Sequence, residues 1–435
     1  MGARGAVGAA GAAGRPAGPA GVNLLALRSH NTALVLDLLR GAGAGGISRL
    51  ELAERTGLTP QAVSKITARL RQEGLAAEAG RRASTGGKPR TVLRLVPEAG
   101  HAAGVHVDRD EVRTVLVDLN GTVVGERRAP LDLGAAAAAV VEQVAREVED
   151  LVDEALGGVV SPVGVGVALP GPLDHGRGVL HRVTGFPQWD GFPLRDALQR
   201  RLGIPVVVDK DTNAAALGLA VAGGGEEHGA GGGGVSGDGG GRDGGAGAEG
   251  AGGGRAGGEG AGGGGAGGEG AGGGGAGGGG GASFAYLHVG TGLGAGLVIG
   301  GRVHRGPRTG AGEFGHQVIQ LDGPVCECGD RGCLEALCLD AVGRGDPREA
   351  ARVLGTGAAN LVGLLDIEEV LLGGRTVEAA PEAFVHGVSE VLRARARREG
   401  TDGGAVPVRV VGDERSVAEG AAQLVLAPMF GRGDG

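Results

Sequence analysis

The chain has 435 residues, of which 99 are glycine and only 2% are aromatic, and it carries a formal net charge of −8. No run approaches 18 apolar residues without a charge, which excludes a transmembrane helix. The first residues bring two arginines but no Leu/Val-rich stretch, so no secretory signal is expected and the predicted compartment is the cytoplasm.

Residues 1–21 are Gly/Ala/Pro-rich and are expected to form a disordered tail. Residues 22–96 read as a small basic module. Positions 45–95 hold ten Lys+Arg against four Asp+Glu, while the rest of the chain is acidic, and a basic module on an acidic body suits a polyanion partner. Ser48-Arg49-Leu50-Glu51 is a capping box that predicts a short helix as far as Arg55, with Gly57 supplying the turn. Thr59 followed by Pro60 is a second helix start, an N-cap with proline at the first helical position. There Val63, Ile66 and Leu70 recur at helical spacing and should face inward, leaving Gln61, Ser64, Lys65 and Arg69 outside. Two short helices joined through a glycine turn fit a helix-turn-helix, whose second helix enters the major groove of double-stranded DNA. Leu75 and Thr91–Val96 flank Arg81, Arg82, Lys88 and Arg90, a pattern that predicts a β-hairpin wing. The DNA-facing set is therefore Arg49, Thr59, Gln61, Ser64, Lys65, Arg69, Lys88 and Arg90. Gln61, Ser64 and Lys65 are expected at base edges, and the arginines and Lys88 mainly at phosphates. One short helix reads few base pairs, so a homodimer or homotetramer on a palindromic operator is expected.

The body is read as two lobes, 97–222 and 282–435, separated by a Gly-rich stretch at 223–281. In that stretch 38 of 59 residues are glycine, and a ten-residue unit repeats at 251–260, 261–270 and 271–280. Each unit lacks any apolar residue larger than alanine, so it has nothing to bury and is expected to be a flexible insertion. In the first lobe Val112–Leu119 and Thr122–Glu126 are β-runs around an Asn120-Gly121 turn. A helix (Ala135–Leu156), a strand (Val163–Leu169), a helix (Leu194–Leu202), a strand (Pro205–Asp209) and a helix from Asn213 follow. The second lobe repeats the order: strands Ser283–Val289 and Ala295–Ile299 joined by Gly290–Gly294, then helix Pro347–Leu365, strand Val370–Leu372, helix Ala380–Arg397, strand Val406–Val411 and a final helix. Two β-β-β-α-β-α halves predict a duplicated α/β fold with a cleft between the lobes. Cys326, Cys328, Cys333 and Cys338 fall within 13 residues and read as a metal site, not a disulfide framework. His316 with Cys326, Cys328 and Cys333 would make a tetrahedral set suited to structural zinc, and Cys338 could compete as the fourth ligand.

The segments Gly164–Asp174, Phe192–Leu217, Leu287–Gly315 and Cys326–Ala336 resemble the ROK family (repressors, open reading frames, kinases). With the helix-turn-helix in front, the resemblance is to its repressor branch. It implies an actin-like ATPase/sugar-kinase fold, behind a winged helix-turn-helix, and a carbohydrate or sugar-phosphate effector. It favours His316 as the fourth zinc ligand and leaves Cys338 as a buried small hydrophobe. It also implies ligand contacts from Gly171, Asp211, Glu313, His316 and Glu335, with Asp211 at the position of the kinases' catalytic base.

Several residues depart from the kinase pattern. The Asp-x-Gly-Gly-Thr phosphate turn of the kinases is Asp108-Arg109-Asp110-Glu111 here, without its glycines and with two extra carboxylates. The asparagine before the base is Lys210, which removes a sugar acceptor and could pair with Asp211. Between Ala336 and Ala358 the chain is roughly thirty residues shorter than the family's pattern. Gly290, Thr291, Gly292, Gly373 and Gly374 keep the nucleotide-side turns, but phosphoryl transfer needs both phosphate clamps. The resemblance with these departures implies a DNA-binding regulator, a repressor, with a vestigial active site. The alternatives are an active ATP-dependent sugar kinase with an added DNA-binding domain and a zinc-bearing scaffold without ligand control.

Overall fold

The structure is a computed structural model that describes residues 30–84, 87–158, 160–183, 185–226, 281–400, 405–412 and 415–432. The expected tail at 1–21, and all but the ends of the expected insertion at 223–281, lie outside the described residues. The first element, α1 (His30–Gly41), has no counterpart in the sequence reading; it buries Val35, Leu36 and Leu39 on one face. After β1 (Ile47–Ser48), the capping box forms as expected at the start of α2 (Arg49–Thr56). The Ser48 N–H donates to Glu51 Oε2 at 2.8 Å, and the Glu51 N–H donates to Ser48 Oγ at 3.3 Å. Gly57 turns the chain with φ 69°, and Thr59 Oγ1 accepts from the Ala62 N–H at 3.2 Å to start α3 (Pro60–Gln72). Val63 and Leu70 are buried and Ile66 is half-buried, as the periodicity requires. Thr67 takes a further inward position, its hydroxyl satisfied by the Val63 carbonyl at 2.8 Å. The wing is β2 (Ala76–Ser84) and β3 (Gly87–Leu95), antiparallel with Arg81 opposite Thr91 and Arg82 opposite Arg90, and β1 adds a third strand.

The first lobe continues with β4 (His101–Val107), β5 (Glu111–Asp118), β6 (Val123–Pro130), α4 (Ala137–Leu156) and β7 (Val165–Leu169). A small hairpin, β8 (Leu173–Asp174) and β9 (Val179–Leu180), precedes α5 (Leu194–Leu202), β10 (Val206–Lys210) and α6 (Asp211–Glu226). Helix α6 runs four residues into the stretch expected to be insertion. The second lobe comprises β11 (Phe284–Val289), β12 (Leu293–Ile299), β13 (Arg302–Val303), α7 (Leu334–Gly343) and α8 (Pro347–Leu365). It then adds β14 (Glu369–Gly373), α9 (Arg375–Ala379), α10 (Pro381–Glu399), β15 (Val408–Val410) and α11 (Arg415–Leu426).

Sheet topology makes the duplication plain. The first lobe's strands lie in the order β10-β7-β4-β5-β6, the second's in the order β13-β12-β11-β14-β15. In both, the first strand is central, with an antiparallel pair on one side and two parallel strands on the other. Helices α6 and α11 pack together between the sheets, and glycine permits their close approach. A Cβ on Gly420 of α11 would lie 1.9 Å from the Ala214 carbonyl oxygen of α6, and α11 sits as closely on the first sheet, where a Cβ on Gly166 of β7 would lie 1.7 Å from the Ala421 carbonyl oxygen. The carboxyl ends of β4, β10 and β11 line one cleft through His106, Lys210 and His288, and Gly374 and Arg375 just after β14 lie next to it.

Candidate functional site

The cysteine-bearing loop follows a short turn, Phe314–His316, and ends where Cys333 caps α7. One ligand atom each from His316, Cys326, Cys328 and Cys333 falls within 4.8 Å of the others. Cys326 Sγ stands 3.7 Å from His316 Nδ1, and Cys328 Sγ stands 3.7 Å from Cys333 Sγ. Tetrahedral zinc with thiolate bonds near 2.3 Å places neighbouring sulfurs about 3.8 Å apart, so the donors and their spacing fit that ion. Cys338 is not in the set. It is buried in the core of the second lobe, its sulfur 3.6 Å from the Ala350 carbonyl.

Beside this loop the cleft holds a cavity of about 110 Å³ whose walls include Gly171, Asp211, Glu313, His316 and Glu335, together with Thr291, Gly292 and Asp108. The five expected ligand-contacting residues are thus brought together, although they span more than 160 positions of the sequence. Asp211 is the first residue of α6, with Oδ1 accepting the Thr212 N–H at 2.6 Å. Burial pushes its carboxyl up to about 7, the Thr212 N–H opposing and the Asp108 charge adding to the rise. Lys210 does not pair with Asp211 as expected. Its Nζ, on a side chain only 4% exposed, donates to the Ala311 carbonyl at 2.6 Å and to Glu313 Oε1 at 3.0 Å. The reason is steric: the side chain lies across Gly171, where a Cβ would stand 2.8 Å from Lys210 Cδ, and so runs straight to the opposite lobe. Glu335 Oε2 accepts the Leu293 N–H at 2.8 Å and so braces the second phosphate-type turn.

At the far end of the cleft Gly373 ends β14 and Gly374 follows it. Gly374 has φ 94°, and a Cβ there would lie 2.6 Å from the Val289 carbonyl, which seats this turn on the end of β11. The turn Asp108–Glu111 faces it. Its acidic residues are not bare: Asp108 is ion-paired with Arg375, Asp110 lies 3.5 Å from the same guanidinium, and Glu111 accepts from Arg128 Nε at 2.7 Å. The Asp108 carboxyl is held below its usual value: burial would raise it, but the Arg109 N–H, His106 and Arg375 outweigh that. His106 beneath it is pushed down to about 4 by burial. Arg375 carried no motif signal, because its partners are 265 to 267 positions away.

On the basic module Gln61, Ser64, Lys65 and Arg69 are exposed on α3, and Thr59 is exposed at its cap. Arg69 also donates to Thr32 Oγ1 of α1 at 2.9 Å, and half-buried Arg49 donates to Thr67 Oγ1 at 3.2 Å. Arg81 and Arg90 are exposed on the wing, while Lys88 is placed on β3 by its backbone alone.

Two sheets of one topology with helices between them, a cleft lined by the Asp211 carboxylate and a winged helix-turn-helix in front define a DNA-binding module fused to a sugar-kinase-like body. Residues 102–248 and 277–343 match the ROK family, and residues 34–76 match a winged helix-turn-helix DNA-binding module. The chain is therefore a ROK family protein with an N-terminal winged helix-turn-helix. It is 24% identical over 292 residues to the xylose repressor of Bacillus subtilis, a match covering 66% of this chain and 61% of that protein. The chain thus spans less than two thirds of that relative's length. Among solved structures, the ROK hexokinase of Thermus thermophilus aligns with 27% identity and a TM-score of 0.50, over 74% of this chain and 96% of that one. A ROK family transcriptional regulator, a homologue of the E. coli MLC protein, aligns with a TM-score of 0.65 over 93% of this chain and 98% of that one; at 18% identity it speaks for the fold alone. Among the described residues, no helix is long and apolar enough to cross a membrane.

Proposed function

We propose that this chain is a DNA-binding transcriptional regulator, a repressor, whose body binds a carbohydrate or sugar-phosphate effector in the cleft and transfers no phosphoryl group. The observation that carries the reading is the exposed polar face of α3, with Gln61, Ser64 and Lys65 presented beyond the Thr59 cap and a basic wing beside it. In this reading those three residues meet base edges, while Arg49, Arg69, Lys88 and Arg90 meet phosphates. The relative named as a xylose repressor supports both the regulator and a sugar as effector.

In the cleft, Gly171 lines the cavity beside the Lys210 side chain, and Asp211, Glu313, His316 and Glu335 offer acceptors and donors to vicinal hydroxyls. Glu313 and Glu335 each have one oxygen engaged within the protein, so each contributes its second oxygen. Zinc held by His316, Cys326, Cys328 and Cys333 would lock the loop that carries His316, and would leave the imidazole's second nitrogen to the ligand. The assembly is a homodimer or homotetramer acting in the cytoplasm. The test is a melting-temperature screen of sugars and sugar phosphates, xylose included, repeated with operator DNA. Ligands that shift melting and change DNA affinity support the reading, and DNA binding that no ligand alters speaks for an unregulated scaffold.

One observation favours the kinase alternative. Asp211, raised to about 7, is poised as a general base, and the turns at Gly290–Gly294 and Gly373–Gly374 persist. Turnover of a hexose with Mg-ATP on the order of 1 s⁻¹ would establish that alternative.

A further inference from the structure

Resting on the reading of the body as a sensor without phosphoryl transfer, we propose that the Asp108–Arg375 ion pair, with Asp110 as second acceptor, is an interlobe clasp that takes the place of a bound nucleotide. In a kinase of this architecture a polyphosphate would lie between the two glycine turns and tie one lobe to the other. Here the protein supplies the bridge itself, so the body closes on a carbohydrate alone.

The geometry supports each part. Asp108 stands at the end of β4, the central strand of the first sheet, and Arg375 opens α9 just beyond β14, next to the central strand of the second. Both ends are fixed by backbone. The Asp108 N–H donates to the Glu111 carbonyl at 2.9 Å, and its Oδ1 accepts the Arg109 N–H at 2.7 Å, which leaves Oδ2 for the guanidinium. On the other side, the close seat of Gly374 on the Val289 carbonyl fixes where Arg375 begins. Beneath the pair, His106, Tyr286 and His288 surround a void of only about 10 Å³, too small for any ligand. Two more ion pairs cross between the lobes farther in: Lys210 with Glu313 at 3.0 Å, and buried Asp209 with Arg305 at 2.6 Å. Lys210 and the Asp108–Glu111 turn are also the positions that depart from the kinase pattern, so both departures contribute bridges across the cleft.

The pair is partly solvated, Arg375 being 39% and Asp108 18% exposed, so its effect is a bias on opening and not a permanent lock. Amide hydrogen exchange on the full-length protein tests it, with Arg375→Ala, Asp108→Ala and the double variant. The segments 104–112 and 286–294, one on each lobe, should both exchange roughly three- to tenfold faster in either single variant. The double variant should exchange no faster than Arg375→Ala, since removing the guanidinium already breaks its pairs with both Asp108 and Asp110. Acceleration on one lobe only, a double variant faster than Arg375→Ala, or no acceleration would each overturn the clasp. Mg-ATP at millimolar concentration should leave the wild-type melting temperature unchanged, and a rise of several degrees would mean that the nucleotide displaces Arg375. Neither measurement uses DNA or sugar, so a failed regulator assignment and a failed clasp give separate results.

Discussion

Asp211 begins α6 on the wall of the cleft, where its carboxyl is pushed from 3.8 up to about 7 by burial above all. Because the folded-state value lies above the unfolded one, the folded chain holds an extra proton across this window. Its stability therefore falls as pH rises from about 4 to about 7, and the loss levels off beyond. Asp211→Asn keeps a carbonyl oxygen for the Thr212 N–H but cannot ionise. Its melting temperature relative to wild type should climb across that window and stay constant above pH 8. An offset independent of pH would show that Asp211 ionises at its ordinary value. The proposed zinc ligands offer a second check at this scale. Purified protein should contain about one zinc per chain, and Cys328→Ser should lose it, because two thiolates and an imidazole no longer close a tetrahedron. Full zinc in that variant, by elemental analysis, would remove Cys328 from the ligand set.

Among the elements, the proposed reading divides the work of holding DNA between α3 and the wing. Lys65 is exposed on the outer face of α3, and Lys65→Ala should cost about 1–3 kcal/mol on the operator if the ammonium reads a base. Arg90 is exposed on the wing strand, and Arg90→Ala should weaken operator and random DNA alike, reducing the salt slope by about one unit. Anisotropy titrations at several salt concentrations separate the two, and identical behaviour on both DNAs would contradict the division. Elements of this kind were legible in sequence where a local bond announces them. Ser48 with Glu51, Thr59 with Pro60, and Asn120 with Gly121 each encode a turn or cap within four residues, and the structure places one at each. The five residues expected at the ligand were legible only through their resemblance to family motifs. Helix α1 was missed because its start falls next to residues of no clear pattern and its apolar face is short. Thr67 was missed because a buried hydroxyl satisfied by the carbonyl four residues earlier reads as polar surface. Arg375 and the Lys210–Glu313 pair were beyond reach, since both depend on which distant turn faces the side chain.

Across the whole molecule, the DNA-binding module and the body share one hydrophobic core. Val35, Leu36 and Leu39 of α1, and Leu52, Val63 and Leu70 of the next two helices, pack in the same cluster as Val115 and Val117 of β5. Ala418, Ala422 and Leu426 of α11 and Phe430 beyond it complete that cluster. Helix α11 also lies against α6 and against strands β4 and β7, so the element that joins the lobes reaches the module as well. Polar bonds fasten the junction: Arg432 Nε meets Asp37 Oδ1 at 2.9 Å, and the Arg40 guanidinium lies 4.8 Å from the centre of the Phe430 ring. On the proposed reading, a module so attached follows α11 when the cleft closes. Phe430, only 2% exposed, is the largest side chain at this seam. Phe430→Ala should cost about 3–5 kcal/mol through the cavity it leaves. Since that cavity lies between module and body, the loss should fall on their junction. Calorimetry should then resolve a module transition below that of the body where wild type gives one shared transition, and any sugar that alters DNA affinity in wild type should do so less in the variant. A single transition at a lower temperature, with the sugar's effect on DNA binding intact, would mean that coupling runs through the β3–β4 connection instead of α11.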